Sequence, residues 1–273
     1  MYFFACLVKN KLYGDKDTMK KILKKYFTFI IFLSLIISSV FYFSALKNNN
    51  ISNETMSNTN VSIKKIAYLT FDDGPSKNTN KILQILDKYN IKATFFVVGP
   101  SYYLKDEYLK KIVQAGHSLA IHSYEHNYNE IYSSKENYIK DFQKCANWIK
   151  KVTGITPTIY RFPGGSSNTI ASKSLIKSII NELNDKGYIH ADWNVDTLDS
   201  YIKDDKNKIV NNAIKALKRN ENNKHYYQTI LMHDDIKKST SIDALPILIE
   251  KFLSYGYHFE VLTPYSHIIK HVK

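Results

Sequence analysis

Two hydrophobic periods alternate along this chain. Short runs rich in β-branched, aromatic and aliphatic residues recur at 66–71, 93–98, 118–122, 158–162, 188–195, 228–232 and 258–262, which is the pattern of buried strands. Between them, apolar residues return at i, i+3, i+4 and i+7, as in Ile82, Ile85, Leu86 and Tyr89, which predicts amphipathic helices. These fall at 78–89, 105–115, 136–152, 171–186, 205–219 and 242–255. Gly116, Gly154, Gly187 and Gly256 stand just past four helix ends, where a left-handed C-cap is expected. Strands and helices in alternation imply an α/β fold with a parallel sheet, either open and doubly wound or closed as a barrel.

The N-terminal part breaks this pattern. Residues 26–46 are 21 positions without a charge, rich in Ile, Leu, Phe and Val, long enough to span a hydrocarbon core. Lys20, Lys21, Lys24 and Lys25 precede them. The positive-inside rule therefore makes 1–25 a cytoplasmic tail, 26–46 a transmembrane anchor, and everything after it extracytoplasmic. A cleaved signal peptide is the competing reading, but the run is long for one and Phe43-Ser44-Ala45 is a poor cleavage site. Met19, directly ahead of the lysines, reads as a natural start. Residues 47–63, rich in Asn, Ser and Thr, read as a polar linker, and 64–273 as the folded domain.

The formal net charge is +13; seven lysines against Asp15 and Asp17 leave residues 1–46 at +5 and the remainder at +8, with no dense basic run. A diffuse field of that sign suits an anionic wall or membrane surface, with nucleic acid the competing partner. Cys6 and Cys145 are the only cysteines. They fall on opposite sides of the membrane in this topology, which excludes a disulfide framework or a Cys-rich zinc site.

Polar residues gather at C-terminal strand ends. Asp72 and Asp73 follow the first strand, His122 ends the third, Arg161 lies at the end of the fourth, Asp196 and Asp199 follow the fifth, and His233 the sixth. That edge is where parallel α/β folds build their sites. Adjacent strand residues point to opposite faces, so Asp72 and Asp73 share a site only if the backbone breaks, and Gly74-Pro75 is expected to break it. An ordinary strand-ending turn is the alternative. In His122-Ser123-Tyr124-Glu125-His126 a helical turn would put both imidazoles on one face. With one carboxylate from the Asp72–Asp73 turn they make a site suited to catalytic zinc or to non-haem iron. The same five residues fit the H-x-x-E-H pattern of a zinc peptidase with Glu125 as base, although that pattern needs both histidines inside a helix. Arg161, ahead of Pro163-Gly164-Gly165, is expected to orient a carboxylate by a bidentate contact. The glycines would let a backbone N–H approach a substrate oxygen. His233 beside carboxylates is a candidate general acid.

Taken in order, Thr70-Phe71-Asp72-Asp73-Gly74-Pro75, His122–His126, Arg161-Phe162-Pro163-Gly164-Gly165, the Asp196/Asp199 pair and Leu231-Met232-His233-Asp234 resemble the five motifs of polysaccharide deacetylases. These are the NodB-homology enzymes of carbohydrate esterase family 4, and the resemblance runs over 64–263. It implies a distorted (β/α)7 barrel of parallel strands, preceded here by the one N-terminal transmembrane helix. It also implies a divalent metal, zinc by preference, on Asp73, His122 and His126. Asp72 matches the catalytic base, Arg161 the residue orienting it, and His233 the catalytic acid. Asp199, ahead of Asp196, matches the carboxylate tuning that histidine. Leu231 matches a residue of the acetyl pocket, and the Gly164 N–H stands near the oxyanion. Two positions depart from the family pattern. Gly164 occupies the place of a usual Tyr, and Ser200 that of a frequent Trp, with Tyr201 or Trp193 available as replacement surface.

The implied activity is hydrolysis of N-acetyl groups on N-acetylglucosamine-type residues of a cell-surface polysaccharide, peptidoglycan first. The expected partners are that glycan or a chitooligosaccharide-like one and the membrane, with no nucleic acid. The expected location is the cell membrane, single-pass, or the exterior if the N-terminal segment is cleaved. A non-catalytic glycan-binding module is the reading from another class, and the filled acid, base and ligand positions speak against it.

Overall fold

The computed structural model describes residues 64–100, 105–235, 237 and 239–273. The expected tail, transmembrane anchor and linker lie outside the described residues, among which no helix is long and apolar enough to cross a membrane. Eight strands, β1 (Ile66–Asp72), β2 (Thr94–Val98), β3 (Ser118–Ser123), β4 (Ile159–Tyr160), β5 (Ile189–His190), β6 (Val195–Asp196), β7 (Tyr227–His233) and β8 (His258–Phe259), are described. The helices are α1 (Thr79–Lys88), α2 (Lys105–Gln114), α3 (Tyr128–Ile131), α4 (Lys135–Thr153), α5 (Lys173–Asp185), α6 (Lys206–Asn222) and α7 (Ser239–Ser254). All strand pairs are parallel. Every predicted helix is present and α3 is additional. The four C-cap glycines adopt φ from 77° to 83°. Ser134, Ser172 and Asp205 cap α4, α5 and α6 by accepting the N–H three residues on.

The sheet order is β5-β4-β3-β2-β1-β7-β6, with β8 against the start of β1. The single strand expected at 188–195 is thus two pieces pairing with different neighbours, β5 with β4 and β6 with β7. Between the pieces, Arg161 bonds the carbonyls of Ala191 and Asp192, and the Asp192 N–H donates to Ile269, so these three backbone groups are taken by partners other than strands, while the Ala191 N–H still reaches β4 and the Asn194 N–H already reaches β7. The break has a consequence for shape. Laid flat at about 4.8 Å spacing, the two edges of a seven-strand sheet would stand about 29 Å apart. Five Cα steps from His190 to Val195 reach about 18 Å at most. The sheet therefore curls until its two edges lie within that reach, a half-barrel with helices outside, consistent with the expected (β/α)7 barrel.

Strand alternation then sorts the side chains. Ala67, Leu69, Phe71, Phe95, Val97, Leu119, Ile121, Tyr160, Ile230 and Met232 pack in the main core with the helices. Their neighbours Ile66, Tyr68, Phe96, Ala120, Ile159 and Ala191 form a separate, smaller cluster inside the curl with Leu262. Continuing the inward set by twos along each strand reaches Thr70 and Asp72, His122, Arg161 and His233. The inside of the barrel is apolar at one end and carries the candidate chemistry at the other.

Candidate active site

Register brings the strand ends level: Asp72 pairs with His233 across β1 and β7. Asp72 lies inward by alternation, whereas Asp73 should lie outward. The break that returns it is at Asp73 itself, φ 70°, one residue before the expected Gly74-Pro75. Aspartate tolerates this left-handed region better than most residues. Gly74 is needed for another reason, since a Cβ there would stand 2.5 Å from Asp234 Oδ2. The buried Asp234 carboxylate accepts from Ser76 Oγ and Thr79 Oγ1, and its N–H donates to the Asp72 carbonyl. It thereby clamps the turn that presents both aspartates.

His122 and His126 meet without the expected helical turn. His126 itself, φ 54°, follows a bend at Tyr124–Glu125, and α3 begins only at Tyr128. The loop is held by Asp141 of α4, whose carboxylate accepts from Ser123 Oγ (2.6 Å), Tyr124 N–H (2.9 Å) and Glu125 N–H (2.8 Å). Ser123 Oγ in turn accepts the His126 N–H at 2.9 Å. Glu125 is exposed and bound to Lys144, away from the residues lining the pocket, which removes the base that the peptidase pattern requires.

A metal fits Asp73, His122 and His126. His122 Nδ1–H donates to the Arg161 carbonyl at 2.9 Å, leaving the Nε2 lone pair for a cation. His126 Nε2 is buried without a hydrogen bond; it stands 3.3 Å from Asp73 Oδ1, but unaligned with it. His122 Nε2 is 3.5 Å from the same oxygen. Ligands about 2.0–2.2 Å from a tetrahedral ion stand about 3.3–3.5 Å apart. Burial acts to raise the Asp73 pKa, but His122, His126 and His233 outweigh it and hold the carboxyl well below the usual range. Burial and the neighbouring His122 lower His126, which keeps it neutral, as a ligand must be.

Arg161 is fully buried, its guanidinium 4.0 Å from the Phe96 ring centre. Nη1 donates to Asp72 Oδ1 at 2.8 Å and to Thr70 Oγ1 at 2.9 Å. The expected bidentate contact is therefore a single one, because Nε and Nη2 are used on Ala191 and Asp192. Asp72 Oδ2 is left toward the site, 3.8 Å from His122 Nε2.

On the other side His233 Nδ1–H donates to Asp199 Oδ1 at 2.7 Å. Asp199 is buried, and its Oδ2 accepts from the His233 N–H and from Ser241 Oγ. Burial would lower the His233 pKa, but Asp199, with Asp73 and Asp72 behind it, pushes it up to about 9. Asp196 instead accepts the Leu198 N–H, so of the two carboxylates Asp199 is the one joined to the histidine.

Asp72, Asp73, His122, His126, Asp196 and His233 line one cavity of about 360 Å³ together with Tyr128, Gly164, Trp193, Ser200, Tyr201, Leu231 and Asp235, and the buried Arg161 and Asp199 act on it through Asp72 and His233. Gly164, φ 76°, is the third residue of a turn closed by the Gly165 N–H on the Phe162 carbonyl. This geometry favours glycine there and Pro163 ahead of it. Sequence reasoning missed Tyr128, Asp141 and the clamp made by Asp234. Only Asp141 carried a signal, a carboxylate amid the apolar positions Tyr138, Ile139, Phe142 and Cys145 of its helix.

A family model described as polysaccharide deacetylase matches residues 59–181. The chain is 32% identical over 199 residues to the putative polysaccharide deacetylase YheN of Bacillus subtilis, covering 72% of this chain and 67% of that one. It is 31% identical to a peptidoglycan-N-acetylglucosamine deacetylase of Bacillus cereus, covering 75% of this chain and 71% of that one. Among solved structures, the catalytic domain of peptidoglycan N-acetylglucosamine deacetylase from Eubacterium rectale superposes with a TM-score of 0.70 at 36% identity, covering 81% of this chain and 98% of that one. With its five motif segments gathered on one edge of a curled parallel sheet and such relatives matched along most of their own length, the chain belongs to the polysaccharide deacetylases of carbohydrate esterase family 4.

Proposed function

We propose that this deacetylase is metal-dependent, uses zinc by preference, and removes N-acetyl groups from N-acetylglucosamine-type residues of peptidoglycan. The observation that carries the reading is the meeting, in one cavity, of the Asp73–His122–His126 group with the Arg161-held Asp72 on one side and the Asp199-held His233 on the other. Asp73, His122 and His126 would hold a divalent ion, whose chemistry there would be to lower the pKa of a water to about 7 and to draw charge from the amide carbonyl. Asp72 accepts the proton of the attacking water through Oδ2, the oxygen that Arg161 leaves open. The Gly164 N–H donates toward the oxyanion, and Leu231 offers an apolar surface to the acetyl methyl. His233 gives its proton to the departing amine, without which the adduct collapses back to the amide. Each proton transfer contributes about 10²–10⁴ in rate.

Peptidoglycan as substrate rests on the names of the relatives and on the +8 charge that remains after residues 1–46. Single-pass anchoring, with residues 64–273 outside the membrane, rests on the uncharged run 26–46 behind four lysines. Mass spectrometry of peptidoglycan fragments and of N-acetylglucosamine oligomers, after incubation with zinc-loaded protein, tests the reading. Loss of single acetyl groups from glucosamine positions is the expected result, and unaltered glycan in both samples would overturn it.

A further inference from the structure

Tyr128 opens α3 two residues after His126 and has no part in the roles above. Its ring nonetheless lines the cavity between the metal-ligand group and Gly164. It stands edge-on to the His126 imidazole, centroids 5.2 Å apart and planes at 80°. Behind it Tyr132 lies 6.1 Å away and donates its hydroxyl to the Pro163 carbonyl. The phenol is thus braced by the same residue that pins the Phe162–Gly165 turn. A Cβ on Gly164 would stand 3.5 Å from Tyr128 Cε1 and 3.7 Å from its Oη. Tyr128 therefore borders the space that a side chain at 164 would enter, the position where the family pattern usually carries an aromatic residue. Among the described residues its hydroxyl bonds no protein group, although the ring is half-buried.

We propose that Tyr128 is a specificity-determining residue of this site. Its ring is the wall on which the sugar bearing the scissile acetamide rests, and its hydroxyl donates to a hydroxyl of that sugar. A pyranose offers C–H groups to an aromatic surface and hydroxyls around its rim, and tyrosine meets both with an apolar body and a polar tip. The aromatic wall is delivered by the helix after the second motif instead of by the third-motif loop, so the Phe162–Gly165 turn keeps the glycine that its φ favours. This assignment rests on the deacetylase reading for the identity of the ligand, but its test reads binding.

Wild type, Tyr128→Phe and Tyr128→Leu are compared, all zinc-loaded, by calorimetric titration with the N-acetylglucosamine tetramer, together with zinc content and KM. Removing the hydroxyl alone should weaken binding about threefold to tenfold. Removing the ring should weaken it about tenfold or more and raise KM in parallel, with zinc stoichiometry unchanged. Wild-type affinity in Tyr128→Leu overturns the proposal, as does loss of zinc from Tyr128→Phe, which would make the residue a prop for His126. A wild type that binds the tetramer but releases no acetyl group overturns the functional reading and leaves the Tyr128 comparison to be read from the affinities. A wild type that binds no tetramer overturns the Tyr128 assignment whatever it does to peptidoglycan.

Discussion

His233 is the side chain whose proton most directly limits the proposed reaction. Burial works to discharge it, while the hydrogen bond and charge of Asp199 work harder to keep it charged, and the result is a pKa of about 9. A cation on Asp73 would reduce that residue's smaller share of the shift, but not the share of Asp199. Because the folded pKa is raised, the acid form prevails below about 9 and is lost as pH rises through it. The pair's contribution to stability has the same sign: full below the unfolded value of about 6.5, and lost as pH rises through the folded one. The alkaline limb of kcat/KM should therefore fall near this pH, in a profile recorded on acetylated oligosaccharide. Asp199→Asn keeps an acceptor for Nδ1–H but removes the charge. It should move the limb to lower pH and cut the rate at mildly alkaline pH by about 10²–10⁴. An unmoved limb would assign the proton to another group. At this scale the sequence was informative because chemistry-bearing residues recur at strand ends, and alternation there predicts which of them face inward. The Arg161 contact was misjudged because the number of its N–H groups left for Asp72 depends on which carbonyls fold around it.

Between elements, the candidate metal site depends on how one helix holds one loop. α4 crosses behind β3 and sets the Asp141 carboxylate under three donors of residues 123–125, and Ser123 passes the constraint to the His126 N–H. His126 owes its place to this clamp and not to a helical turn, so the four-residue histidine spacing anticipated that the two side chains meet but not the geometry by which they do. The break at Asp73 was misplaced for a similar reason. The turn is fixed by Asp234 from the far end of β7, 158 residues from Ser76, a constraint that no local signal carries. Helix C-termini were legible because left-handed caps are local, as the glycine after α4 illustrates. Supporting groups of this kind typically tune metal affinity by 10–100-fold. Asp141→Asn retains the size of the side chain but presents N–H₂ where one carboxylate oxygen accepted. Zinc affinity in a chelator competition should fall about 10–100-fold with the fold retained by circular dichroism. Wild-type affinity would show that Ser123 and the bend suffice to hold His126.

Across the whole domain, the site and the closure of the sheet share residues. Arg161 orients Asp72 with one nitrogen and holds the carbonyls of Ala191 and Asp192, in the segment that links the two sheet edges, with the other two. Asp192 continues the seam: its buried carboxylate accepts from the Ser166 N–H, Ser166 Oγ and the His271 N–H, while its own N–H donates to Ile269. The seam thus joins β4, the Gly164–Gly165 turn and the segment ending the described chain. The run 188–195 was legible as extended backbone. Its division between two neighbours was not, because that depends on the curl of the entire sheet and on partners 77 to 79 residues away. If this closure is as central as its contacts imply, Asp192→Ala should cost more than its lost side-chain packing. The two buried donors of Ser166 and the part-buried His271 N–H would lose their acceptor, at about 1–3 kcal/mol for each buried donor left unsatisfied, and water entering the seam would restore some of that. A loss of about 3 kcal/mol in urea unfolding, with the m-value unchanged, is the expected outcome. Activity should fall with it even where the protein stays folded, since Ser166 lies two residues from Gly164 and freeing it loosens the loop over the cavity. An unfolding midpoint equal to the wild type would mean that Arg161 alone closes the sheet, with Asp192 a passive occupant of the seam.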